Sequence, residues 1–251
     1  MAPVRAALAA VAALAPRAGA VSLRGVEEAG GLALPLQLES GHVPLFVKWE
    51  DYLGEDLHNI NFVQVGGNCG TNLPECAVGG DPIWEYATRF AWKGIVIEPV
   101  PRIFAKLSEN YKPFPSIKPV HCLVSDHSGA GKIIDHSEIS HEISLSRKNG
   151  VEVETFTLVD LWNEKFGSDE KKVDILVVDA EGNEPKILGG PIPEPRPSFV
   201  LFEISSLKAE ELKSIDDNLH SYGYELVEQL RHQDPLGKNM PPQDALYKLV
   251  K

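Results

Sequence analysis

Basic residues are scarce in this 251-residue chain: 24 Lys and Arg stand against 36 Asp and Glu, a formal net charge of −12. That deficit works against electrostatic capture of a phosphate backbone, so a nucleic-acid substrate is disfavoured. Cysteine is sparse, with three in all. No Cys/His spacing matches a structural zinc site. Cys69 and Cys76 are close enough in sequence to pair in an oxidising lumen, while Cys122 sits inside an apolar run and reads as a small buried residue. No internal repeat is visible, and the apolar run near the N-terminus is too short to span a bilayer as a helix. What remains is an ordinary globular composition, 43% hydrophobic and 24% charged, with length for one α/β domain and not for two comfortable ones.

The N-terminal segment has its own character. Residues 6–15 are wholly Ala, Leu and Val, Arg5 precedes them, and Ala18-Gly19-Ala20 follows as a small-x-small site. This pattern predicts a secretory signal peptide over residues 1–20, and so a secreted or secretory-pathway protein. An organelle transit peptide competes, because the first 26 residues carry Arg and Ser but no acid. Residues 21–55 then read as an N-terminal extension and 56–251 as the catalytic domain. Within the extension, Val43 to Tyr52 has the pattern of a short amphipathic helix.

Beyond it, five apolar runs each stop at a glycine or polar residue of chemical use. Asn61 to Val65 runs into Gly66-Gly67-Asn68-Cys69-Gly70, a turn suited to presenting backbone N–H groups to a ligand. Gly94 to Ile97 ends on Glu98, a carboxylate placed to accept two ribose hydroxyls. Val120 to Val124 ends on Ser125-Asp126, suited to an adenine amino group. The run from Val173 delivers Asp179, Glu181 and Glu184 within six residues, and Ser198 to Phe202 ends on Glu203. Between the runs, Pro82 to Trp92, Pro101 to Tyr111 and Leu158 to Phe166 have helical spacing, and the aromatic stripes of the first two read as core. Lys132 to Ile134 and Val151 to Thr155 read as short strands, and Tyr224 to Leu230 with Ala245 to Val250 as a closing antiparallel pair. Strands alternating with helices predict a mostly parallel sheet covered on both faces.

Two nucleotide-binding readings compete. A dehydrogenase fingerprint, Gly-x-Gly-x-x-Gly, would need glycine where Asn68 and Thr71 stand, and an acid about 20 residues on; Glu98 lies 32 residues beyond Gly66. The blocks Val63 to Gly70, Glu98-Pro99-Val100-Pro101-Arg102-Ile103-Phe104 and Asp179-Ala180-Glu181-Gly182-Asn183-Glu184 instead resemble the FkbM-type methyltransferases. Asp81-Pro82-Ile83-Trp84-Glu85, Trp92-Lys93-Gly94 and Asp244-Ala245-Leu246-Tyr247 share the resemblance, which covers roughly Asn61 to the C-terminus. Gln64 departs from it, standing where the family has an acid in the first strand.

The resemblance implies a Rossmann-like class I methyltransferase fold: a seven-stranded, mostly parallel sheet whose last strand is antiparallel, with helices on both faces. It implies S-adenosylmethionine as cofactor, held by Gly66, Gly67, Asn68 and Gly70 at its methionine and ribose portion, by Glu98 at the ribose and by Ser125 and Asp126 at the adenine. The implied reaction is methyl transfer to a hydroxyl of a sugar or other small-molecule acceptor, with Asp179 first and Glu181 second as the base or acceptor-orienting group. No residue is assigned to a metal in this reading. A different enzyme class stays open on the same acids: Asp179, Glu181, Glu184 and Glu203 have the oxygen chemistry of a divalent-cation site in a nucleotide-sugar transferase. A non-catalytic binding module is the third alternative.

Overall fold

The computed structural model describes residues 47–71, 81–135, 140–142, 150–166, 172–233 and 239–250. Every described residue belongs to one compact unit, Leu38–Lys251. The segment expected to be a signal peptide, and Cys76, lie outside the described residues.

In chain order the elements are α1 (Glu50–Leu53), β1 (Asn61–Val65), α2 (Trp84–Arg89), β2 (Lys93–Ile97), α3 (Pro101–Tyr111), β3 (Ile117–Val120), β4 (Leu123–Val124), β5 (Gly129–Asp135), β6 (Ser140–Glu142), β7 (Val151–Phe156), α4 (Leu158–Phe166), β8 (Ile175–Val178), α5 (Glu184–Leu188), β9 (Phe199–Glu203), α6 (Ala209–Ser221), β10 (Tyr224–Gln233) and β11 (Asn239–Leu249). Seven of the strands form one sheet in the order β10-β11-β9-β8-β1-β2-β3. From β3 to β9 every pairing is parallel, and β11 runs antiparallel between β9 and β10. This is the class I methyltransferase arrangement implied by the resemblance. The central strand β8 is wholly apolar and mostly β-branched, β1 contributes Phe62, Val63 and Val65 with the buried Gln64, and both are buried on both faces as a helix-covered parallel sheet requires.

One expected strand is cut differently. The run Val120 to Val124 is not continuous: β3 ends at Val120, and Leu123-Val124 leave the main sheet to pair with β7 in a second sheet of order β4-β7-β5-β6. The expected strands at Lys132 and Val151 are the antiparallel pair β5 and β7 of that sheet. The run hides such a switch, because Cys122, Leu123 and Val124 would be buried against either sheet.

The amino ends of the strands are closed by aromatic packing. Trp49, fully buried, meets Trp92 and Phe199 edge-on at ring-centroid distances of 6.5 and 6.2 Å and donates its indole N–H to Pro82 at 2.8 Å. Trp92, just before β2, donates to Leu57 at 2.6 Å and stacks on Tyr86 of α2. The aromatic stripe of Pro82 to Trp92 is therefore core, as its spacing predicts.

At the opposite, carboxyl ends, β1 and β8 approach so closely that only glycine fits. Gly66 has φ +82°, and a Cβ there would lie 1.6 Å from the Asp179 carbonyl oxygen. Gly54 has a similar φ, +83°, but open space around it. Gly66→Ala is expected to cost about 1–3 kcal/mol more than Gly54→Ala, roughly 2–10 °C in Tm. Thermal melts of the two variants followed by circular dichroism check this, and equal losses would refute the tight crossing.

Candidate functional site

Strand register builds the site. Val65 at the end of β1 pairs with Ile97 of β2 on one side and Val178 of β8 on the other. The next residue of each strand is therefore Gly66, Glu98 and Asp179, side by side along one edge. Backbone bonds continue the alignment: Gly66 and Gly67 donate to the Ile97 carbonyl at 3.0 and 2.9 Å, and Asp179 donates to Val65 at 2.9 Å. On the far side Val178 pairs with Phe202, which brings Glu203 beside Asp179, and Glu203 pairs with Asp244 of β11. Five strands thus place Glu98, Gly66, Asp179, Glu203 and Asp244 in a row.

A pocket opens over the Glu98, Gly66 and Asp179 part of this row, lined also by Asn68, Ala180, Glu181 and Asn183 among its polar and turn residues. Its apolar wall includes Ile97, Ile103, Leu123, Val124 and Ile133. Leu123 and Ile133 belong to the apolar cluster that joins the second sheet to α3, with Ile103 packed against it. Glu98 is buried, and its Oε1 accepts the Val100 N–H at 2.8 Å, which fixes the carboxylate against the wall just before α3 begins. The donor set suits a cofactor with a ribose, a purine and a sulfonium: a held carboxylate for a diol, apolar side chains for a flat base, and acids for a cation.

The turn after β8 carries the other acids. Glu181 and Gly182 take positive φ values of 52° and 90°, and Asn183 donates to Ala180 to close the turn. Glu184 braces it from within: its Oε1 accepts the Ala180 N–H at 2.6 Å while its Oε2, fully buried, has no hydrogen-bond partner. Burial pushes the Glu184 carboxyl up to about 7, against the lowering effect of the backbone N–H groups of Glu184, Ala180 and Gly182. Asp179 is open to the pocket yet closely surrounded by protein. Desolvation, followed by the charges of Glu203, Asp244, Glu181 and Glu184, raises its carboxyl well above the usual carboxylate range. Glu181 is raised by burial and by Glu203. Asp244 is raised by burial, partly offset by His232, whose Nε2 lies 2.6 Å from its Oδ2.

Of the nine residues expected from the sequence, Gly66, Asn68, Glu98, Asp179 and Glu181 line this one pocket. Gly67 and Gly70 support it from behind: a Cβ on either would strike Val96 or the Leu107 and Tyr111 side chains of α3. Ser125 and Asp126 are not brought to it. They line a separate cavity with Thr157, Asp160 and Lys186, directly after Val124, which still belongs to the pocket wall. Gln64 also turns away from the pocket. Its Nε2 donates to Asp81 at 3.1 Å, and Asp81 Oδ1 in turn accepts the N–H groups of Ile83 and Trp84 where α2 begins. The amide that replaces the family's acid is thus part of a buried structural link.

Cys69, beside the pocket turn, is in a disulfide, and the buried Cys122 contributes to the pocket lining. Sequence reasoning gave no role to Asn183, whose Nδ2 donates to the Val124 carbonyl at 2.9 Å and ties the β8 turn to the second sheet. Nor did it assign Ile103 and Ile133 to a pocket wall, since helical spacing in α3 and alternation in β5 signal burial without saying against what.

A sequence comparison with curated proteins found no match. Among solved structures, the METTL16 methyltransferase domain aligns at 12% identity over 80% of this chain, with a TM-score of 0.45; the chain covers 65% of that domain's length. Precorrin-6y C5,15-methyltransferase from Geobacter metallireducens aligns at 10% identity, 77% of this chain and 81% of that one, TM-score 0.42. Aeropyrum pernix fibrillarin with natively bound S-adenosylmethionine aligns at 12% identity, 79% and 70%, TM-score 0.39. The methyltransferase FkbM domain model matches residues 67–226, more than half of the chain. That match, on a sheet of the corresponding strand order, makes the chain a member of the FkbM methyltransferase family, whose cofactor is S-adenosylmethionine.

Proposed function

We propose that the protein transfers the methyl group of S-adenosylmethionine to a hydroxyl oxygen of a sugar or other small-molecule acceptor. The observation that carries this reading is the row of Glu98, Gly66 and Asp179 across three adjacent strands, opening into one pocket. Glu98 accepts the ribose hydroxyls, Gly66 and Asn68 border the methionine portion, and the apolar wall from Ile103 to Ile133 takes the adenine. Bound there, the cofactor supplies an electrophilic methyl group. The acids at the other end of the row serve the acceptor: Asp179 orients its hydroxyl, and Asp179 or Glu181 takes the proton as the oxygen attacks. Their raised proton affinity suits that task. The same acids, in a chain of net charge −12, favour a neutral or cationic acceptor over a polyanion.

The secretory pathway is the proposed location. The small-x-small site Ala18-Gly19-Ala20 supports it, as does the disulfide at Cys69, which suits an oxidising compartment. Mass spectrometry of the mature protein from its own cells is expected to find Val21 at the N-terminus; an intact Met1 or Ala2 would exclude cleavage.

Two substitutions separate binding from chemistry. Glu98→Ala is expected to weaken S-adenosylmethionine binding by about 1–3 kcal/mol, measured by calorimetry, with the melting temperature showing the fold retained. Unchanged affinity would remove Glu98 from the site. Asp179→Asn keeps size and hydrogen-bonding capacity but loses the charge. It is expected to retain cofactor affinity while slowing transfer of a radiolabelled methyl to hydroxylated acceptors by about 10²–10⁴-fold. Transfer at the wild-type rate would show that Asp179 takes no part.

A further inference from the structure

We propose that Asp179, Glu184 and Glu203 together hold one divalent cation of the hard, oxygen-seeking kind, such as Mg²⁺ or Mn²⁺, at the acceptor end of the pocket. One carboxylate oxygen from each lies within 4.8 Å of the others. Two oxygens sharing one ion stand at most about 5 Å apart at Ca²⁺ bond lengths and about 4 Å apart at Mg²⁺ bond lengths, so the three surround a common centre as they stand for the larger ion and once drawn in by about half an ångström for the smaller.

Proximity of acids alone would not make a site. The second observation is Glu184, a side chain with no solvent exposure that is brought into this cluster by the turn after β8, and whose Oε2 has no hydrogen-bond partner. The Glu203 Oε2 is likewise buried without a partner, while its Oε1 accepts from Ser205. Buried carboxylate oxygens are seldom left unmatched, because desolvating them without a partner is costly. A cation held by one oxygen of each carboxylate offsets the charge that strand register and the β8 turn assemble there. Asp179, the one ligand that also lines the pocket, would carry the ion's remaining positions toward the acceptor. An acceptor hydroxyl coordinated there is acidified, and Glu181 is left as the carboxylate free to take its proton.

The assignment of the ion to the acceptor rests on the methyl-transfer reading; the site itself does not. The test is Mn²⁺ binding to the full chain, followed by electron paramagnetic resonance, with S-adenosylmethionine binding measured separately by calorimetry without metal. The expected result is one bound Mn²⁺ per chain, displaced by excess Mg²⁺. Affinity should fall at least about tenfold in Glu203→Gln and in Asp179→Asn, with circular dichroism melts confirming that both variants fold. Glu203→Gln is the safer variant, since Glu203 is partly exposed and its bond from Ser205 is local. Wild-type protein that binds no Mn²⁺ at millimolar concentration, or folded variants that bind it as tightly as wild type, would overturn the site. Mn²⁺ binding without cofactor binding would uphold the cation and remove the methyltransferase reading, whereas the reverse would remove the cation alone.

Discussion

The register of β1 between β2 and β8 is the constraint on which the rest depends. Because Val65 faces both Ile97 and Val178, the first residue past each strand falls on a common line, and those residues are Gly66, Glu98 and Asp179. A slip of one residue would turn each strand's side chains to the opposite face and break the row. Gly66 reinforces the alignment sterically, since the Asp179 carbonyl occupies the space a Cβ would need. Two segments more than 100 residues apart in sequence are thereby held at backbone contact, and the pocket follows from that contact.

The two ends of the sheet are specialised in opposite ways. At the amino ends, Trp49, Trp92, Tyr86, Phe62 and Phe199 form a dense aromatic closure with the indole donors satisfied. At the carboxyl ends, polar groups gather that a core would not tolerate: Glu184 fully buried, Glu181 at positive φ, and Asp179 among four other acids. Such concentrations of strain and raised proton affinity persist where the surrounding structure over-determines them and chemistry uses them. Here Asn183 and the Glu184 bond to Ala180 hold the turn in place.

The periodicity and end residues of the strands were legible in the sequence because each rests on local physics. Long buried runs of β-branched residues alternating with helical spacing imply a parallel sheet, and glycine or acid at the end of a run marks the edge where ligands bind. On that basis Gly66, Asn68, Glu98, Asp179 and Glu181 could be named, and all five line the pocket. The resemblance to the family added the seven-strand count, the antiparallel last strand and the cofactor.

What only the tertiary structure decided is where apolar or acidic residues of equal local character go. Val120 to Val124 reads as one strand, yet its second half pairs with β7 in another sheet; Leu123 and Val124 form part of the pocket wall, while Ser125 and Asp126 line another cavity. Gln64 occupies a position facing the cofactor by analogy, yet its hydrogen bond goes to Asp81 and serves the start of α2. Glu203 and Asp244 are 41 residues apart, and nothing local joins them; the pairing of β9 with β11 does. A sequence encodes which side chains can be buried and which turns can form through neighbouring residues. Which buried surface meets which, and which charges must share one space, is set by long-range pairing, whose signal is spread over the whole sheet.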